Sequence, residues 1–279
     1  MTDPRTVLIT GATDGLGRAL ALRLAADDVG LILHGRDQGK LDAVVDAIAA
    51  SGQSPPPTTV VADLANLGQV RRMAVEVVRT TPRLDVLVSN AGIGSGEPDG
   101  RTRRTSGDGY ELRLAVNYLA GFLLTLELLP LLRGSRSARI INVASIGQYP
   151  LDFDDLMLEH GYSGSRAYGQ SKLAQIMSGF ELADRVPAAE VTVNSLHPGT
   201  YMPTKIVLEE IGRTVDGLEV GVAAVRRLVI DSDVSGVTGR FFDRTREARA
   251  NDQAYDGKAR GELWERSLGL VSLPDPFGA

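Results

Sequence analysis

The sequence predicts an α/β fold: one domain, residues 1–279, built on a doubly wound parallel sheet with helices on both faces. Three observations predict it. Short apolar, β-branched runs alternate with longer stretches whose apolar residues recur at helical spacing. The strand runs are almost continuously apolar, as strands covered on both faces must be. No linker-like break divides the chain, and α/β chains of this length often form one domain. Right-handed crossovers then give the doubly wound order.

Val7–Thr10 reads as the first strand and Arg18–Ala26 as the first helix, with Leu20 and Leu24 on one face. Leu31–His34 is the second strand, and Lys40–Ala50 the second helix, with Leu41, Val44, Val45 and Ile48 on one side. Ser51–Thr58 carries Pro55, Pro56 and Pro57 in succession and is a surface loop. Thr59–Ala62, Leu67–Thr80 and Val86–Ser89 are strand, helix and strand. Ile93–Gly109 turns polar and glycine-rich, which marks a long mobile loop. A long helix follows from Asp108 to Leu132, then a strand at Arg139–Val143, a helix at Ala167–Arg185 and a strand at Val191–Leu196. Val220–Ile230 reads as a helix and Gly239–Phe242 as the last strand.

Composition narrows the function. Lysine and arginine number 30 against 35 acidic residues, a net charge of −5, which argues against a nucleic-acid surface or a polybasic membrane anchor. Apolar residues make up 43 %, enough for a sizeable core. With no cysteine, disulfide scaffolds, thiol catalysis and thiolate metal sites are excluded. Val7-Leu8-Ile9 is too short for a signal-peptide core. The most lipid-like stretch, Leu114–Leu132, contains Asn117, Glu127 and Pro130 and reads as a buried core helix. No fixed-period repeat is visible.

The first strand ends in Thr10-Gly11-Ala12-Thr13-Asp14-Gly15-Leu16-Gly17, and a helix begins at once. Such a turn lets backbone approach a pyrophosphate, and the helix N-terminus offers N–H groups and a positive dipole end. The spacing is G-x-x-x-G-x-G, and its place between first strand and first helix gives it weight. His34-Gly35-Arg36-Asp37 closes the second strand. An arginine there forms a fork onto a 2′-phosphate, where an acidic residue would grip the ribose 2′-OH, so Arg36 favours NADP(H) over NAD(H).

Tyr168 and Lys172 stand four residues apart on one helix face. Bringing a phenol from about 10 to about 7 requires roughly 4 kcal/mol in favour of the phenolate. An ammonium about 4 Å away at an effective dielectric of 20 supplies about that much, so the pair is expected to act as a tuned acid–base. The buried strand Ile140–Val143 leads to Ser145, at the sheet end where doubly wound folds bind ligands. Asn90-Ala91-Gly92 makes a small-residue turn after the fourth strand, and Asn117 sits in an apolar helix, where an amide needs partners.

Together these segments resemble the short-chain dehydrogenase/reductase family, and its retinol-dehydrogenase-like branch in particular. The glycine turn matches the family's T-G-x-x-x-G-x-G, Asn90-Ala91-Gly92 its N-A-G turn, and His197-Pro198-Gly199 its P-G turn. The branch likeness rests on Asp108–Glu111, Val116–Leu119, Phe122–Thr125, Phe153–Leu156, Ala167–Ala174, and the tail from Gln253 through Glu265. The resemblance implies a Rossmann-like fold and hydride transfer between a nicotinamide and a carbonyl or alcohol carbon. Asn117, Ser145, Tyr168 and Lys172 match its catalytic tetrad. In that assignment Tyr168 exchanges the proton, Lys172 tunes it and holds the nicotinamide ribose, Ser145 steadies the substrate oxygen, and Asn117 supports a proton-relay water. The implied cofactor contacts are Thr10, Gly11, Thr13, Asp14, Gly15, Leu16, Gly17, Arg36, Asp63, Leu64, Asn90, Ala91, Gly92, Tyr168, Lys172, Pro198 and Gly199. Asp63-Leu64 would meet the adenine. Ser89 replaces a second Asn of many members, and Pro203 stands where a carboxamide-binding threonine usually lies, leaving Thr200 or Thr204 for that contact. The membrane-anchoring leader of animal members is missing, so a cytoplasmic enzyme is expected. The family allows a homodimer or homotetramer formed through the long apolar helix.

Other chemistries find less support. His34, His160 and His197 are scattered without an H-E-x-x-H, so no metal site is expected and each reads as a surface or turn residue. Asp152, Asp154 and Asp155 near Glu159 read as a solvated segment flanking the substrate entrance, and Arg101, Arg103 and Arg104 as a solvated basic run. Ser145 lacks the G-x-S-x-G frame of a serine hydrolase. Substrate contacts are expected from Ile93–Gly109, Gln148–Ser165 and Thr200–Gly217, with Gln148 and Tyr201 as candidates. The alternatives to an NADP(H)-dependent ketone reductase or alcohol dehydrogenase are a nucleotide-holding sensor without turnover and a cofactor-recycling isomerase or dehydratase.

Overall fold

The computed structural model describes residues 4–27, 29–52, 56–96, 100–135 and 137–278. Pro55 of the proline loop and residues 97–99 of the polar loop lie outside them. The chain runs β1 (Thr6–Ile9), α1 (Gly15–Ala25), β2 (Gly30–Gly35), α2 (Gln38–Ser51), β3 (Thr58–Val61), α3 (Leu67–Thr80) and β4 (Val86–Ser89). A long helix then opens as a π-helical stretch, Leu114–Leu119, and continues as α4 (Ala120–Arg133). β5 (Ala138–Val143), α5 (Gly164–Arg185), β6 (Val191–His197), α6 (Lys205–Glu210) and α7 (Leu218–Ile230) follow. β7 (Arg240–Asp243), β8 (Arg246–Ala248) and α8 (Gly257–Leu270) complete the fold.

The eight strands form one sheet in the order β3-β2-β1-β4-β5-β6-β7-β8, parallel except for β8. The order reverses between β1 and β4, which opens a crevice at their carboxyl ends. Side chains of β1 alternate between the two faces. Leu8 joins the core under α3, α4, α5 and α8, while Val7 and Ile9 join the core under α1, α2 and α7. Local capping sets the helix starts: Asp14, Asn66 and Ser163 accept from backbone N–H groups in the first turns of α1, α3 and α5.

Two expectations are corrected around residue 108. The long helix does not begin at Asp108, because the preceding residues are committed to turns. Ser106 Oγ accepts from Asp108 N and Tyr110 N, Gly109 takes φ +87°, and Asp108 instead caps α3 through Leu67 N at 2.9 Å. Glu111 caps the helix through Leu114 N at 2.7 Å. The described part of the polar loop is pinned rather than mobile. Buried Arg113 donates to Gly94 O and Ser95 O at 2.7 Å each, and a bridge joins Thr105 to Glu111.

Leu114–Arg133 is long and apolar enough to cross a membrane by length and composition, and 72 % of its most apolar window is buried inside the fold. Its outer face is covered by α8. Trp264 meets Phe122 edge-on at 5.1 Å, and Tyr118 Oη shares a 2.6 Å hydrogen bond with Ser267 Oγ. Trp264 and Ser267 of α8 thus cover part of the apolar surface of this helix.

Candidate active site

The glycine turn is built so that backbone, and nothing bulkier, lines the crevice. Gly11 has φ +66°, and a Cβ there would meet Ala91 Cα at 2.9 Å; a Cβ on Gly17 would strike Gly11 O. Thr10 Oγ1 accepts from Asn90 N and Ala91 N at 2.9 and 3.0 Å, and Asn90 Nδ2 donates back to Thr10 O at 2.9 Å. The turns after β1 and β4 are thus locked together. They form one wall of a cleft of about 430 Å³ lined by Gly11, Thr13–Gly17, Arg36, Asp63, Leu64 and Asn90–Gly92. Thr10 lies behind that wall. Arg36 and Arg104 both reach the cleft and are exposed without a side-chain partner among the described residues. Arg104 is therefore a cleft residue and not merely part of a solvated run. The cradle fits a dinucleotide: it offers glycine backbone, the start of α1 and the guanidiniums of Arg36 and Arg104.

Asn117 and Lys172 converge beside Gly92, and Ser145 and Tyr168 meet beside Gly147. A Cβ on Gly92 would stand 3.1 Å from Asn117 Oδ1 and 3.5 Å from Lys172 Nζ. Lys172 Nζ donates to Val143 O at 2.8 Å and lies 5.9 Å from the Tyr168 ring centroid. Burial lowers the lysine from 10.5 to about 8. The Tyr168 phenol is pushed above its usual 10.0 by burial; a hydrogen bond with Ser145 opposes this, and the charge of Glu210 adds to it. Burial is thus the largest influence on the phenol. Ser145 Oγ also accepts from Gly147 N at 3.0 Å. Asn117 spends its whole side chain on structure. Its Oδ1 accepts from Ile93 N at 2.8 Å, and its Nδ2 donates to Ile93 O at 3.1 Å and Ser171 Oγ at 3.0 Å.

After β6 the two threonines separate. Thr204 lines the cleft, facing Gly15. Thr200 is held away from it: Thr200 N donates to Asp216 Oδ2 at 2.7 Å, and its Oγ1 bonds His197 and Arg244. Pro198 and Gly199 are buried and do not line the cleft, and Gly199 lies against Met202 and Asp216. Gln148 braces the fold instead of facing substrate, since it donates to Ser145 O at 2.7 Å and accepts from Asn251 N at 2.7 Å. Tyr201 is 40 % exposed at φ +45°.

Sequence reasoning missed His34. It is buried, as is His197, so neither is the surface residue expected. His34 Nδ1 accepts from Gly11 N at 3.2 Å, which leaves its proton on Nε2 for Ala62 O at 3.1 Å. It ties the glycine turn to β2 and β3. Glu210 was missed as well. Its Oε2 accepts from Ser95 Oγ at 2.7 Å, and its Oε1 is buried with no partner. No residue spacing could reveal a contact made across 115 positions.

A family model described as short chain dehydrogenase matches residues 5–211. Mouse (Mus musculus) retinol dehydrogenase 13 is 33 % identical over 298 residues, covering 99 % of this chain and 86 % of its own. DnrU of Streptomyces sp. (strain C5), provisionally named a daunorubicin C-13 ketoreductase, is 36 % identical over 96 % of this chain and 92 % of its own. A solved structure from Shigella flexneri 2a strain 301, provisionally named a short chain dehydrogenase and complexed with NADP, is 27 % identical with a TM-score of 0.69. It covers 86 % of this chain and 96 % of that one. The chain belongs to the short-chain dehydrogenase/reductase family, in its retinol-dehydrogenase-like branch. It is an oxidoreductase.

Proposed function

We propose that this oxidoreductase interconverts a ketone or aldehyde and its alcohol with NADP(H), in a cytoplasmic setting. One observation carries the reading: Ser145 and Tyr168 share a hydrogen bond, and Lys172 beside them stands against Gly92 of the glycine-lined cleft. Thr10, Asn90 and the glycine turn hold the pyrophosphate end, and Arg36 and Arg104 favour a 2′-phosphate over a bare ribose. Thr204 is the better placed of the two threonines for the carboxamide. A bound nicotinamide supplies or takes the hydride.

The chain's own residues then handle the proton. Tyr168, a phenol that burial pushes upward, donates its proton to a carbonyl oxygen as negative charge develops there. Ser145 holds that oxygen. Lys172, at about 8, stands close enough to neutral pH to return a proton to the phenolate, which an ordinary lysine would do poorly. Asn117 supports the relay by fixing Ile93 and Ser171 rather than by touching water with its amide.

A screen of ketones and aldehydes that follows NADPH and NADH consumption in parallel tests the reading. NADPH should be consumed in preference. Tyr168→Phe should lower kcat by about 10²–10⁴-fold, the range for lost general acid–base catalysis, while the chain still binds NADPH. Near-full turnover in that variant would refute the role.

A further inference from the structure

The segment 200–216 is a flap with a fixed base. Two backbone bonds pinch its ends together, Val215 N to Tyr201 O at 3.1 Å and Asp216 N to Thr200 O at 3.0 Å. Arg244 holds the base through Asp216 Oδ2 at 2.5 Å. The flap carries α6 in its middle, and α6 has no buried residue; Leu208 just inside its end and Ile211 just beyond it are 54 % and 41 % exposed. A short helix without an apolar anchor belongs to the least stable parts of a fold. Met202 anchors the base of the flap in the core and Ile206 meets Gly94, so it is the far end of α6 that needs a separate hold.

The opposing wall is rigid. Ile93 is fixed at both backbone groups by Asn117, and Gly94 and Ser95 by the guanidinium of Arg113. Arg113 is itself buried against Glu111 and Tyr162. Glu210, the last residue of α6, reaches across to this wall. Its carboxylate lies on the backbone of Gly94 and Gly96, where any Cβ would collide with it, and accepts the Ser95 hydroxyl at 2.7 Å. Ile93 on one side and Thr204–Ile206 on the other face each other across the cleft, so this contact spans its mouth.

We propose that Glu210 is a positioning residue that fastens the flap 200–216 across the cleft by accepting the Ser95 hydroxyl, closing the wall opposite Tyr168. The fastening is weak by construction. One carboxylate oxygen is buried without a partner, and an unmet buried acceptor costs free energy that opening restores. The closed arrangement is thus readily released, as a gate for substrate and nucleotide must be. That use rests on the oxidoreductase reading above; the fastening itself does not.

Hydrogen exchange across residues 205–211 of the full chain, with and without NADPH, tests the fastening without needing turnover. Ser95→Ala and Glu210→Ala should each speed exchange there about tenfold, the equivalent of about 1.4 kcal/mol. The double variant should be no faster than either single one. Glu210→Gln keeps an oxygen for the Ser95 hydroxyl and should stay near the parent rate. Unchanged exchange in both single variants, additive effects, or Glu210→Gln behaving like Glu210→Ala would each overturn the proposal. With an accepted carbonyl, Ser95→Ala should raise KM about tenfold at nearly constant kcat, with the thermal midpoint held. A faster-exchanging flap in a chain that reduces no carbonyl would leave the fastening standing and refute the proposed carbonyl reduction instead.

Discussion

Lys172 brings an ammonium into a place that opposes it. Its fall from 10.5 to about 8 corresponds to roughly 3 kcal/mol against keeping the charge buried. The one hydrogen bond it donates, to Val143 O, returns about 1 kcal/mol. Lys172→Met removes the charge, loses that bond and fills similar volume. The variant should therefore gain about 2 kcal/mol of unfolding free energy at pH 7 while losing turnover. The sign follows from linkage: a lysine depressed in the folded state opposes folding fully below pH 8, and less as pH rises through the window from about 8 to 10.5. Urea titrations at pH 7 and pH 10 check both points, since the gain should shrink at the higher pH. A variant less stable than the parent at pH 7 would show that the bond to Val143, not the buried charge, dominates this site.

Among the elements, α8 shows how far the sequence could be read and where it stopped. The strands and the glycine turn were legible because their signals are local: unbroken apolar runs, and a glycine pattern between strand and helix. Tyr168 and Lys172 were legible because helical spacing alone puts them on one face. α8 carries glycines at 257, 261 and 269 and only scattered apolar residues, so no periodic stripe announces it. The π-helical stretch around Asn117 was hidden for another reason, since residue type does not reveal a widened turn. α6 lacks a buried face altogether, and Glu210 and His34 act through partners distant in sequence. What holds α8 is one large side chain. Trp264 packs edge-on to Phe122, lies under the Arg185 guanidinium at 4.8 Å and is 1 % exposed. Trp264→Ala should cost about 3–5 kcal/mol, as expected for truncating a fully buried tryptophan. Because α8 shares its core with α4 and α5, the loss should appear as one cooperative transition at lower urea. A separate early transition would mean that α8 peels off alone.

At the scale of the whole molecule, two buried histidines make the fold sensitive to acid. His34 and His197 are both lowered from 6.5 to about 4, chiefly by burial, and each sits at the carboxyl end of a central strand. The unfolded chain binds a proton at each near pH 6.5, whereas the folded chain resists until about pH 4. The histidine contribution to stability is therefore complete above pH 6.5 and falls as pH drops through that window, by roughly 3 kcal/mol for each histidine. Set against a total of about 5–15 kcal/mol for a typical domain, the pair alone brings unfolding within reach near pH 4. The two sites also lie where function lies. Protonating His34 Nδ1 removes the acceptor for Gly11 N, and His197 holds Thr200 at the base of the flap. Acid should thus loosen the nucleotide cradle before the sheet as a whole gives way. Nucleotide affinity followed by NADPH fluorescence, alongside far-UV circular dichroism from pH 7 to pH 4, separates the two events. His34→Asn should flatten the pH dependence of affinity, and His34→Asn with His197→Asn should flatten that of stability. Loss of affinity and helicity at one common pH in the parent chain would show that the cradle and the sheet fail together.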